Sequence, residues 1–218
     1  MMDCTWSVCV PGPDITEIGL MLPDISKDGK WIVYSEQLSC ENLSEGLKLL
    51  PTGQVKMIKY NAELMRKIIL AAGKLTNDQF GFPDEGLLIP KDYRNWAIRY
   101  LVENADSELL KILGNQGIEK AKEKSLTYCR IVILPREDPA QRRVVTSSVF
   151  NILTTRLSPD ARFVAYLMHT QEGEVSNAYE EYGLYVASIE GDMKAMNVDS
   201  RVAFGYDWRK DGKAIAYL

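Results

Sequence analysis

A mainly β protein, built from repeated four-stranded units and interrupted by a helical insertion, is the architecture this sequence predicts. Three observations carry that expectation. A polar turn followed by an apolar run closed by Tyr occurs three times: Asp24–Tyr34, Leu157–Tyr166 and Tyr206–Tyr217. A strand, a short turn and a second strand then follow two of these, at Gly46–Ile58 and at Gly183–Met196. Between the repeats, residues 61–124 carry apolar residues at helical spacing.

Each element has a local reason. Asp28-Gly29, Pro159-Asp160 and Asp211-Gly212 supply the backbone angles of tight turns. The β-branched and aromatic residues after them suit strands buried on both faces. In the first unit Gly46–Ile58 reads as a strand, a Thr52-Gly53 turn and a strand, so that each unit has four. Leu126–Leu134 and Arg142–Thr146, joined by a turn at 135–140, read as the outer hairpin of a further unit. Its inner hairpin is assigned to Phe80–Ile89 around Asp84. The insertion predicts a helix over Ala62–Ala72, capped by Asn61 and stopped by Gly73. A second helical stretch is expected over Lys91–Lys124, with Asp106 as a cap and Gly114 as a stop. Its polar face, with Arg94, Arg99, Lys111, Glu119 and Glu123, is expected in solvent or against a partner. Residues 1–14, containing Pro11-Gly12-Pro13, read as a linker into a single body over 15–218.

Composition narrows the chemistry. The chain has 218 residues, 46% of them hydrophobic and 26% charged, with a net charge of −4. A broad electrostatic grip on nucleic acid is not expected from that balance, nor is a membrane span, because the apolar runs are far shorter than the roughly 20 residues a spanning helix needs. An N-terminus without a basic and apolar leader leaves a cytoplasmic location as the default expectation. Cys4, Cys9, Cys40 and Cys129 form no C-x-x-C pair and are read as free thiols.

Motifs that could carry catalysis or metal binding reduce to structural readings. Asp24-x-Ser26-x-Asp28-Gly29 imitates half of a calcium loop, but Ser35 stands where a bidentate Glu is required, so it is read as a turn. His169, the single histidine, has no G-x-S-x-G elbow to serve and is read as a surface-loop residue. No phosphate-cradling glycine loop occurs. Trp96 and Trp208 are assigned to packing, and Arg136, Arg142 and Arg143 to a solvated hairpin tip. Neither a cofactor nor a metal is expected. The acidic residues Glu172, Glu174, Glu180 and Glu181, in the long connection after the Val164–Met168 strand, form the one candidate partner-contact loop.

The pattern Ser-Pro-Asp, an apolar run ending in Ala-Tyr and then Gly-Leu-Tyr-Val resembles the repeat of TolB-like β-propellers, well at 157–217, less at 24–58 and weakly at 80–146. Ala161 stands where that repeat has Gly, and Lys27 and Lys210 where it has Pro. The resemblance implies consecutive four-stranded propeller blades, about three plus the start of a fourth, completed by further blades or by another chain. It implies a non-catalytic protein-binding or assembly scaffold. The alternative it implies is the substrate-filtering propeller portion of a prolyl oligopeptidase-like serine hydrolase, with the catalytic domain outside this chain. Export is implied as well, since such propellers are often exported.

Overall fold

The computed structural model describes the backbone of residues 15–20 and, in full apart from the Lys91 side chain, residues 23–73, 91–169, 182–191, 195–202 and 205–218. Two antiparallel meanders and a hairpin make up its β part.

In the first sheet, β1 (Ile15–Leu20) and β2 (Asp24–Ile25) lie end to end along β3 (Trp31–Cys40). β3 then pairs along its whole length with β4 (Leu126–Pro135), from Trp31 opposite Pro135 to Cys40 opposite Leu126. β5 (Arg143–Ser148) closes the sheet, after a 3₁₀ turn at Pro139–Gln141. The second sheet is a plain meander of β6 (Ile152–Leu157), β7 (Phe163–His169), β8 (Tyr182–Ser188) and β9 (Met196–Val202). β10 (Tyr206–Trp208) and β11 (Ile215–Tyr217) form the hairpin.

Period-two alternation sorts the side chains between faces. Val33, Ile131 and Ile133 of the first sheet meet Ile152, Val164 and Tyr166 of the second in a shared core. The opposite face of the second sheet, with Ala165, Leu167, Leu184 and Val186, is covered by Tyr206, Trp208 and Ile215 of the hairpin. Sheet, sheet and hairpin are therefore stacked in chain order.

Among the described residues, four helices lie in the chain between β3 and β4. They are α1 (Leu43–Leu49), α2 (Thr52–Ala72), α3 (Lys91–Glu103) and α4 (Ser107–Lys122). Ile58, Met65 and Ile69 of α2, Trp96 and Leu101 of α3, and Leu109 and Leu113 of α4 pack with Leu38, Cys40, Leu126 and Tyr128 of the first sheet. The Trp96 indole N–H donates to the carbonyl of Thr127 at 2.9 Å, tying the helical lobe to β4.

Several sequence expectations change here. Gly46–Ile58 covers the end of α1 and the start of α2, with Leu50 and Pro51 extended between them: Asn42 accepts from the Glu45 N–H at 3.1 Å and starts α1, and Gly53 lies in the first turn of α2. Asn61 is a buried residue inside α2, not its cap, whereas Gly73 ends the helix in the left-handed region at φ +65°. Asp106 caps α4 as expected, accepting from Leu109 N–H at 2.9 Å, but Gly114 (φ +61°) marks a kink after which the helix resumes. The Leu126–Thr146 hairpin is the outer half of the first sheet and not of a separate unit. The expected inner hairpin at 80–89 lies outside the described residues. Among those residues, three units and the start of a fourth thus become two meanders and a hairpin.

Candidate interaction surface

The recurrent turn is the best-defined device in the molecule: in each copy the aspartate Oδ1 accepts the backbone N–H two residues on, at 3.1, 3.2 and 3.0 Å for Asp28, Asp160 and Asp211, while the residue two positions before the aspartate differs. Ser26 Oγ donates to Asp28 Oδ1 at 2.7 Å and accepts from Trp31 N–H at 2.9 Å. Ser158 Oγ donates to Asp160 Oδ1 at 2.6 Å and accepts from Phe163 N–H at 3.0 Å. In the third copy Arg209 replaces the serine and clamps Asp211 through two guanidinium N–H groups, at 2.8 and 2.7 Å. These bonds hold the carboxyls of Asp28, Asp160 and Asp211 below the usual carboxylate range, the first two chiefly through serine and the third through Arg209. Gly29, Ala161 and Gly212 occupy the same left-handed position, at φ +71°, +53° and +70°. The calcium-like motif is thus a hydrogen-bonded turn.

Direct bonds join successive units. Asp24 in β2 accepts from the backbone N–H of Leu157 in β6 at 2.8 Å. Further along, Tyr206 in β10 donates to the carbonyl of Ala165 at 2.9 Å, and Trp208 Nε1 donates to that of Arg156 at 3.1 Å. Burial pushes the Tyr206 phenol up, so it stays a neutral donor.

The candidate nucleophilic and basic groups sit at the junction of α3 with the second sheet. His169 is the last residue of β7 rather than a loop residue. Its Nδ1 lies 3.4 Å from Asp92 of α3 and its ring meets Tyr182 edge-on. Cys129 is near the same junction, with Sγ 3.6 Å from Asn151 Oδ1, but burial pushes its thiol up to about 11, the reverse of an activated nucleophile. Cys40 and Cys129 are both free thiols; Cys4 and Cys9 lie outside the described residues. Among the described residues no group of three His, Cys, Asp or Glu side chains could hold a metal. A shallow depression of about 470 Å³ between β3 and α4 is lined by Arg99, Lys122 and Lys124. Its Arg99 is committed to the carbonyls of Glu41 and Lys122, at 2.9 and 2.8 Å. Arg99 is therefore a staple, and Arg94 is half-buried, whereas Lys111, Glu119 and Glu123 are exposed as expected.

Exposed apolar groups occur at several places among the described residues, α2 and the hairpin among them. On α2, Met57 and Tyr60 are exposed, and Leu64 and Ile68 continue the same stripe half-buried, beside the stripe that packs into the lobe. At the hairpin, Tyr217 and Leu218 are exposed on β11 and just beyond it. The hydroxyl of Tyr217 donates to the Asp199 carboxylate, which pushes its pKa up. Neither surface was read from sequence as a contact site: the helix expected over Ala62–Ala72 already places Leu64 and Ile68 on one apolar face, but Met57 falls in the expected strand. The acidic candidates Glu172, Glu174, Glu180 and Glu181 lie outside the described residues. Arg143 of the expected solvated tip instead sits over the Trp31 ring and meets Glu190 at 3.4 Å. Among the described residues no helix is long and apolar enough to cross a membrane. Comparison with protein-family models, with curated proteins and with solved structures finds no match to the chain.

Proposed function

We propose that the chain is a non-catalytic protein-binding scaffold whose stacked sheets are blades of a TolB-like propeller and whose helical lobe presents the docking element. The observation that carries this reading is the turn repeated at Asp28, Asp160 and Asp211 with the same backbone bonds, at the heads of units stacked in chain order. Such an array holds its loops and insertions rigidly, so recognition rests on shape and hydrogen bonding and needs no cofactor. The exposed Met57 and Tyr60 on α2 are the side chains best placed for it. Aromatic and Met side chains are enriched where proteins meet.

The test is affinity capture and cross-linking with the intact chain, beside the double variant Met57→Asp, Tyr60→Asp. A protein held by the wild type and lost by a folded double variant is the expected result. Capture of nothing, or equal capture by both, overturns the lobe as the docking element.

A further inference from the structure

We infer that the exposed face of α2 binds an acidic amphipathic helix of another protein, laid along the stripe that Met57 and Tyr60 begin. This inference rests on the scaffold reading and names the chemistry of its partner.

The stripe has the spacing of a helix contact. Met57, Tyr60, Leu64 and Ile68 follow one another by three, four and four positions, which sets them in one row about three turns, or about 16 Å, long. Met57 is 42% and Tyr60 63% exposed, while Leu64 and Ile68 are half-buried. A basic row borders the stripe on its solvent side. Lys56, Lys59 and Lys67 are exposed there, in a chain whose net charge is −4. Lys59 stands over the Tyr100 ring at 5.6 Å, and Glu63, the single acid of α2, lies 3.7 Å from Arg66. Among the described residues no ion pair engages Lys56 or Lys67. Two such ammonium groups beside an apolar row are matched by carboxylates flanking apolar residues at i, i+3, i+4 and i+7.

Other occupants fit less well. A second α2 would add its own lysines and supplies no acid but Glu63. A phospholipid surface would take up the widest apolar face of the helix, and Ile58, Met65 and Ile69 hold that face in the lobe core. Later units of this chain stack in the other direction. The lobe packs on the Leu38 and Tyr128 face of the first sheet, whereas the second sheet and then the hairpin follow from its Val33 and Ile131 face. The sequences of 74–90 and 170–181 do not encode such a helix: Gly81, Pro83 and Gly86 interrupt the first, and Gly173 leaves about two turns in the second.

The probe is a labelled helical peptide of about four turns, stapled by a lactam, with leucine at the matching spacing and glutamate on its flanks. It is titrated into the intact chain by fluorescence anisotropy, beside peptides with glutamine or lysine in place of glutamate. Saturable binding of the glutamate peptide is expected, about tenfold or more tighter than that of the glutamine peptide. The double variant Lys56→Glu, Lys67→Glu should weaken it about tenfold and prefer the lysine peptide instead; Lys59 is left in place because of its contact with Tyr100. No saturation at millimolar peptide, or equal affinity for the glutamate and glutamine peptides, overturns the inference. Binding to vesicles of phosphatidylserine and phosphatidylcholine in equal parts, lost in the double variant, would assign the face to a membrane and overturn it as well. Dimerisation abolished by the same variant would assign the face to a second copy, with the same consequence. A protein captured through Met57 and Tyr60 and held equally by the Lys56→Glu, Lys67→Glu chain would sink this inference alone and leave the scaffold reading standing.

Discussion

Asp24 and Leu157 are 133 positions apart, yet the carboxylate of the first accepts the backbone N–H of the second at 2.8 Å and pins one sheet to the next. Removing that acceptor strands a partly buried N–H at the junction. Asp24→Ala should cost about 1–3 kcal/mol of stability, read from the urea midpoint. Asp24→Asn keeps an acceptor and loses only the 3.7 Å approach of Arg156, an exposed group, so it should cost less. Equal losses in the two variants would show that charge, and not the N–H bond, holds the junction.

The shared left-handed position offers a second test. Ala161 stands at φ +53° where the two sister turns have glycine, and a side chain there is strained. Ala161→Gly should stabilise the protein by about 0.5–1 kcal/mol, the strain relieved outweighing the greater freedom glycine gives the unfolded chain. The reverse changes, Gly29→Ala and Gly212→Ala, should destabilise by a similar amount with no clash, since the nearest atoms to the added methyl are 3.7 and 3.5 Å away. Thermal unfolding of the three variants checks the sign of each.

These turns were legible because their chemistry is local: the aspartate and the residue two positions before it close their hydrogen bonds within six residues. The pairing of β3 with β4 was not, because residues 41–125 separate the partners and nothing in a local pattern says that a strand resumes the sheet it left. Leu126–Thr146 therefore read as the start of something new. Gly46–Ile58 misled for a different reason. Gly53 between apolar residues imitates a hairpin turn, while the opposing signal, Asn42 three residues before Glu45, is a short capping pattern outweighed by the expectation of a repeat. Of the interaction surfaces, the α2 stripe was legible at Leu64 and Ile68, within the helix expected over Ala62–Ala72, and hidden at Met57 by that strand assignment.

Gly46 makes the lobe sensitive to a single methyl group. A Cβ at that position would lie 2.7 Å from the ring of Trp96, a fully buried side chain. Gly46→Ala should therefore lower stability by about 1–3 kcal/mol through overpacking, although alanine favours the helix that contains it. Loss of the near-ultraviolet Trp signal with β content retained would place the damage in the lobe, and a stabilised variant would refute the close contact.

Acid should act on the turns through their aspartates. Asp160 has its carboxyl lowered chiefly by the Ser158 hydroxyl, so its folded pKa lies below its unfolded one. The stability this provides is present above the ordinary carboxylate pKa of about 3.9 and is lost as pH falls through the lower folded value. Asp160→Asn has no proton to gain, so its stability should fall less steeply than the wild type's across that acidic window while starting lower at neutral pH. Asp28→Asn should behave alike, because Ser26 lowers Asp28 in the same way. Urea midpoints measured from neutral pH down to pH 3 give the comparison. Parallel wild-type and variant curves would mean that the serine–aspartate bond is no stronger in the folded chain than water's bond to the unfolded one, and the repeated turn would then be held by its backbone geometry alone.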